Sequence, residues 1–299
     1  MKNIIIDTDP GHDDALAIML AVKSGMFNIR AVTTVAGNST IENTTRNARY
    51  ILKLLGREDI PVYSGAEKPL KRELVQAAVH GKSGFEGLDP QNDANLTGNA
   101  AEKIISIAGE GNVTLITLGP LTNIATAIKQ NPEAMSKLKE IVMMGGAIRV
   151  PGNKSRTAEF NIFVDPEAAD IVFRFPAKKT LVPLDACNHV KLQLEDFERI
   201  GGKLREPAIA MMKPYIRNIK NNEGVSAALM YDPLTIYSIM NPSACMKGLY
   251  NVMVETKGEL TSGMSVADMR KKCGKPNMTV IERIDSEAFK NDFIRILSG

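Results

Sequence analysis

Four aspartates, Asp7, Asp9, Asp13 and Asp14, fall within eight residues of the stretch NIIIDTDPGHDDALAIML, directly after three isoleucines. Two carboxylates about 4 Å apart repel by roughly 4 kcal/mol at an effective dielectric near 20, so such a group stays ionised only with help. Either some carboxyls hold protons or a cation sits among them. Asp oxygens without adjacent Cys or clustered His are hard donors, which suits Ca2+ or Mg2+ rather than Zn2+, and several carboxylates on a flexible turn favour calcium. A purely structural role is the alternative. Asp13 or Asp14 then caps the following helix and complements its positive end, which accounts for one or two aspartates but not for all of them.

The elements around this turn say where it must lie. Short β-branched runs, NIIID, IRAVTTVAGN, NVTLITLG, EIVMMGG and KTLVPLDA, read as strands buried on both faces. Between them ALAIMLAVKSG, STIENTTRNARYILKLLG, NAAEKIISIAG, LTNIATAIKQ and PEAADIVFRF read as helices, the second with capping-box spacing at Ser39 and Glu42 and a stop at Gly56. Alternation of this kind predicts an α/β fold with a single open, mostly parallel sheet flanked by helices. After residue 190 the pattern changes to a helical region over roughly 193–240 and a hairpin, LYNVMVETKGELTSGMSVAD, turning at Lys257-Gly258. A last strand, NMTVIERI, and a helix follow. With no Pro/Ser-rich linker and no repeat, residues 1–299 read as one elaborated domain. In an open parallel sheet, ligands bind outside the carboxyl ends of the strands, and Asp7–Asp14 stand at the end of the first strand.

Composition narrows the partners. Hydrophobic residues make up 44% and charged residues 24%, an ordinary globular balance. A net charge of +3 from 37 basic and 34 acidic residues creates no field that would draw nucleic acid or an anionic membrane. Cys187, Cys245 and Cys273 are odd in number and far apart, which predicts neither a disulfide framework nor a thiolate zinc site. The start of the chain lacks the order of a signal peptide, and no apolar run reaches the ~20 residues of a spanning helix. A cytoplasmic location is the expectation.

The block DTDPGHDDALAI resembles the signature of the inosine-uridine preferring nucleoside hydrolases. Further stretches resemble blocks of that family in the family's order: TTVAGN at 33–38, LGPLTNIA at 118–125, VMMGG at 142–146, GNKSRTAEFNIFVDPEAA at 152–169 and YDPL at 231–234. The resemblance implies a calcium-dependent enzyme that cleaves the N-glycosidic bond of ribonucleosides, working as a homodimer or homotetramer. Aspartyl phosphotransferases also open with an apolar strand and D-x-D-x-[TV]. Here Gly11 occupies the Thr/Val place and the Asp13-Asp14 pair is foreign to that pattern.

Carried over by position, the resemblance implies that calcium is bound by Asp9, by both oxygens of Asp14, by the carbonyl oxygen of Leu118 and by Asp232. Leu118 precedes Gly119-Pro120 at a strand end, where its carbonyl escapes the ladder, and Pro233 is expected to hold Asp232 extended. Asp9 would be the base that deprotonates the attacking water. Asp13, Asn38, Asn153, Glu159 and Asn161 match the sugar-binding positions. The polar, aromatic, polar order of Glu159-Phe160-Asn161 reads as two side chains turned into one cleft before a strand.

The base pocket departs from the family pattern. Tyr231 stands where many members have His, and a phenol is a weaker acid than imidazolium although it stays protonated at neutral pH. His80, in a glycine-rich loop, matches a loop His expected to contact the base, and with Tyr231 it completes the candidate catalytic set. Cys187 and Asn188 replace a more usual Thr-His pair, with His189 displaced by one, and Cys187 reads as a small buried residue. Phe85, Phe160 and Tyr231 are the aromatic candidates to face the base; His12 is given no role. A nucleoside-binding protein that keeps the ribose site but has lost turnover through Tyr231 is the alternative reading.

Overall fold

A computed structural model of the chain describes residues 1–299 except 78, 82, 91–95, 271 and 273, so Cys273 lies outside the described residues. The isoleucine run forms β1 (Lys2–Thr8), where Ile4 and Ile6 face one helical layer and Ile5 the other, all without exposed surface. Burial on this scale contributes about 1.5–3 kcal/mol per isoleucine side chain, which is why this strand belongs in the middle of a sheet. Parallel to it run β2 (Phe27–Thr34), β3 (Val62–Ser64), β4 (Thr114–Thr117), β5 (Glu140–Met144) and β6 (Lys179–Val182). Short β7 (Lys191–Leu192) and β8 (Ala228–Leu229) pair with each other away from the main sheet.

The chain then adds β9 (Cys245–Tyr250), β10 (Val252–Val254), β11 (Ser265–Ala267) and β12 (Met278–Ile284). The main sheet has the order β3-β2-β1-β4-β5-β6-β12-β9, parallel throughout except for the antiparallel edge strand β9. Successive strands run outward from β1 through β2 to β3, then outward in the opposite direction from β4 through β5 to β6. The reversal lies between β1 and β4, whose residues Ile4–Asp7 and Thr114–Thr117 are in register. At such a switch point the loops after two neighbouring strands diverge and leave a crevice between them.

Helices at 12–23, 205–223, 231–240 and 286–298 pack on the face of Ile4 and Ile6, and helices at 100–109, 122–130 and 166–174 on the face of Ile5. The expected doubly covered α/β sheet is therefore the observed one, with local differences. Helix 41–54 is capped by Thr40, whose hydroxyl accepts from the Asn43 N–H, while Ser39 is buried and accepts from the Asn43 side chain. Leu249 and Tyr250 belong to edge strand β9, and the hairpin is formed by β10 and β11 alone. A ten-residue connection containing a helical turn replaces a tight reversal at Lys257-Gly258, because Glu255 accepts from both of those N–H groups and ties the bend locally. No helix among the described residues is long and apolar enough to cross a membrane.

Candidate active site

Asp9 leaves the carboxyl end of β1 at the switch point, and its carboxylate is held by backbone. The Asn38 N–H donates to Asp9 Oδ2 at 2.7 Å, while Oδ1 is buried without a hydrogen-bond partner. Glycines make this possible. A Cβ on Gly37 would lie 2.2 Å from Asp9 Oδ2 and one on Gly119 2.5 Å from Oδ1, so the carboxylate fits only between two backbones stripped of side chains.

The helix starting at His12 brings Asp13 and Asp14 beside it. Asp14 accepts from the Thr8 hydroxyl, from the Gly11 N–H at 3.0 Å and from Asn38 Nδ2 at 3.1 Å. Asp14 thus does close the first helical turn, and the same oxygens face the other aspartates. Asp232 arrives from the far side of the fold. It sits in the first turn of helix 231–240 rather than in an extended segment, because Pro233 falls where a helix needs no N–H and its fixed φ suits the turn.

Carboxylate oxygens of Asp13, Asp14 and Asp232 gather within 4.8 Å of one another, all buried. Burial pushes the carboxyls of Asp9 and Asp232 well above the ordinary range, and the negative charge of Asp14 raises both further. Burial also raises Asp14, against hydrogen bonds from Thr8 and Gly11 that favour its charged form. Burial and mutual repulsion thus work against the charged forms of these groups, and a hard divalent ion would relieve that repulsion. With the orphaned Asp9 Oδ1 and an all-oxygen donor set, the cluster fits such an ion. Asp7 is separate: its Oδ1 accepts from Thr33 and Asn123 on the opposite face of the sheet, and burial raises its pKa to about 7.

A cavity of about 250 Å³ opens beside the cluster, lined by Asp13, Asn38, His80, Leu118, Asn153, Glu159, Phe160, Asn161, Tyr231 and Asp232, and closed by Tyr215 and Asn222 of helix 205–223. Asp9 and Asp14 are fully buried next to this wall. The Leu118 carbonyl is outside the ladder and accepts from Asn161 Nδ2 at 2.7 Å. Glu159 and Asn161 enter from a short helix, Phe160–Val164, and not from a strand; Glu159 caps it, its carboxylate accepting from the N–H groups of Asn161, Ile162 and Gly146. Burial still raises the Glu159 carboxyl. Asn153 Oδ1 accepts from the Phe160 N–H at 2.9 Å and leaves its amide N–H groups for another partner.

Tyr231 and Phe160 reach the cavity, whereas Phe85 is buried away from it against Tyr50. Cys187 is a buried free thiol that donates to the Tyr231 carbonyl, and burial pushes its pKa far up. His189 is exposed and lines no part of the cavity. The rings of His12 and Tyr215 stack on His80, and nothing local in the chain marks Tyr215 for that place; for His12 the one signal is a histidine inside the acidic turn.

The inosine-uridine preferring nucleoside hydrolase model matches residues 4–291. The chain belongs to that family, and with this the aspartyl phosphotransferase reading falls. It is 44% identical to a pyrimidine-specific ribonucleoside hydrolase, RihA, of Shewanella sp. (strain MR-4), over 96% of this chain and 93% of the relative. A solved plant nucleoside hydrolase, PpNRh1, superposes with a TM-score of 0.90 at 32% identity, covering 100% of this chain and 99% of the other. A purine-preferring ribonucleoside hydrolase from Gardnerella vaginalis superposes at 0.92 with 29% identity, covering 100% and 98%.

Proposed function

We propose that this chain hydrolyses the N-glycosidic bond of ribonucleosides to free base and ribose, with a calcium ion held by Asp9, Asp14, Asp232 and the Leu118 carbonyl. The carrying observation is the convergence of buried aspartates and a strand-end carbonyl on one polar cavity at the switch point, in a chain of this family. An ion held by these residues would supply a charge that lowers the pKa of a nearby water and attracts the ribose hydroxyls. Asp9 is the base. Its partnerless, buried Oδ1 suits a carboxylate that accepts a proton from the attacking water.

Water attacks C1′ as the bond to the base breaks, through an oxocarbenium-like transition state and by single displacement with inversion. Asp13, Asn38, Asn153, Glu159 and Asn161 hold the ribose hydroxyls. Asp13, Asn38, Glu159 and Asn161 are buried and held in place, so their contacts can tighten in the transition state rather than on binding alone. His80 contacts the base and the Tyr231 phenol donates to it as it leaves. The 44% identity to a pyrimidine-specific relative supports a pyrimidine nucleoside as the preferred substrate.

Asp9→Asn tests the mechanism: it is expected to bind nucleoside, fold as the native chain does and release no ribose. Native turnover in that variant contradicts the assignment. The reading of a binding protein without turnover rests on Tyr231. Calorimetric nucleoside binding with no product from the native chain would favour it.

A further inference from the structure

We infer that Asn218 and Glu86 are positioning residues that fasten the loop carrying His80 to helix 205–223, so that the two walls at that end of the cavity are assembled before substrate arrives. The consequence for catalysis rests on the proposed nucleoside site; the fastening itself does not.

The helix prepares the contact from its own sequence. Pro214 has no N–H to give the Ala210 carbonyl one turn earlier, so that carbonyl receives no helical hydrogen bond from it. The loop backbone lies against the same oxygen: a Cβ on Gly87, whose φ is +98°, would fall 2.1 Å from it, so only glycine fits there. Tyr215 stacks on His80, with ring centroids 5.4 Å apart and planes 12° from parallel. Asn218, a further turn along the same face, reaches the loop with its side chain.

Asn218 Nδ2 donates to the Val79 carbonyl at 3.1 Å and to Glu86 Oε2 at 2.8 Å, which uses both amide hydrogens and clasps residues on either side of His80. The Glu86 N–H in turn donates to the His80 carbonyl at 3.3 Å. Val79 and His80 line the cavity, and so do Tyr215 and Asn222, whose Nδ2 donates to the Asn218 carbonyl at 2.8 Å. The Arg217 guanidinium also meets the Glu86 carboxylate, but both are open to solvent, and an exposed ion pair contributes little. A hydrogen bond to a charged group is worth more, and the Asn218 amide is the leading influence that holds the Glu86 carboxyl below its ordinary range. Asn218 is therefore the principal clasp. Without it the loop must be ordered as substrate binds, which weakens binding and leaves the bound state, once formed, as it was; the loss falls on KM rather than kcat.

Asn218→Asp keeps the shape, removes the donor and sets a carboxylate against the Glu86 carboxylate and the Val79 carbonyl. The amides of Gly84, Glu86 and Leu88 are hydrogen-bonded within the loop, and their exchange with solvent reads the fastening without turnover. In Asn218→Asp they should exchange about tenfold faster, and KM for uridine should rise about tenfold with kcat changed by less than about twofold. Adding Glu86→Gln puts a donor back across the contact and should recover most of both losses. Glu86→Ala, at a side chain 41% exposed, leaves the core intact and should give the same changes at about threefold. Exchange and KM at native values in Asn218→Asp and Glu86→Ala overturn the inference. Equal losses in KM, kcat and calcium affinity overturn it too, since they mark a general loosening rather than a local clasp. A native chain that releases no ribose would contradict the proposed function, while exchange and calorimetric uridine affinity would still decide the fastening.

Discussion

Asn161 Nδ2 donates to the carbonyl oxygen of Leu118 at 2.7 Å, so a residue proposed to hold ribose is bonded to one proposed to hold the metal. The contact joins helix 160–164 to the loop after β4 and aims that carbonyl. Asn161→Leu removes the donor and leaves a buried acceptor unpaired, a loss of about 1–3 kcal/mol. Calcium affinity and kcat/KM are expected to fall together, each by roughly 5- to 150-fold on that scale. Steady-state kinetics with calcium titration checks this. A fall in kcat/KM with unchanged calcium affinity would separate the two roles.

The two glycines around Asp9 make a steric prediction. Gly37→Ala and Gly119→Ala place a Cβ within 2.2 Å and 2.5 Å of its carboxylate oxygens. Overpacking of this kind costs about 1–3 kcal/mol. Each variant should lose a few degrees in melting temperature and turn over at least tenfold more slowly than that loss explains, because the carboxylate itself is displaced. Native kcat in either variant would show that Asp9 does not need this placement.

The raised carboxyl pKa values predict how stability depends on pH and metal. Asp7, at about 7, and Asp9, Asp14 and Asp232, all raised, bind protons more tightly in the folded chain than in the unfolded one. Their contribution is full below the ordinary carboxylate pKa of about 4 and is lost as pH rises through the folded-state values. Chelated protein should therefore melt at progressively lower temperature from about pH 5 to pH 8. Calcium stands in for the protons, so the rise it gives in melting temperature should be larger at pH 8 than at pH 5. Equal rises at both would contradict a cation at these carboxylates.

Tyr231 carries the leaving-group prediction. Tyr231→Phe keeps the ring and removes the donor; it should lower kcat by about 100-fold, the lower range for a positioned acid, with little change in KM. Tyr231→His should retain activity and shift its pH optimum downward. Undiminished kcat in the Phe variant would assign leaving-group assistance elsewhere.

How much of this was legible in the sequence depended on which interactions fixed each residue. The buried strands and the acidic turn were readable because their signals are local: β-branched runs, and aspartates directly after β1. Asp232 was misplaced as extended because the bias before proline competes with proline's fitness for the first turn of a helix, and the helix won. Glu159 and Asn161 were read as flanking a strand; capping by Glu159 bent five residues into a helix and still turned both side chains to the cavity. Phe85 was misassigned for lack of any local cue to burial in the loop. His12 went unread because its partners, His80, Glu86 and Tyr215, are far along the chain and meet it only once helix 205–223 has packed.

The central claim is tested most directly by ribose release from uridine, cytidine, inosine, adenosine and guanosine, each with calcium and after thorough chelation. Calcium-dependent ribose, fastest from the pyrimidine nucleosides, is the predicted result. No ribose from any of them, in folded protein that binds calcium, would contradict it.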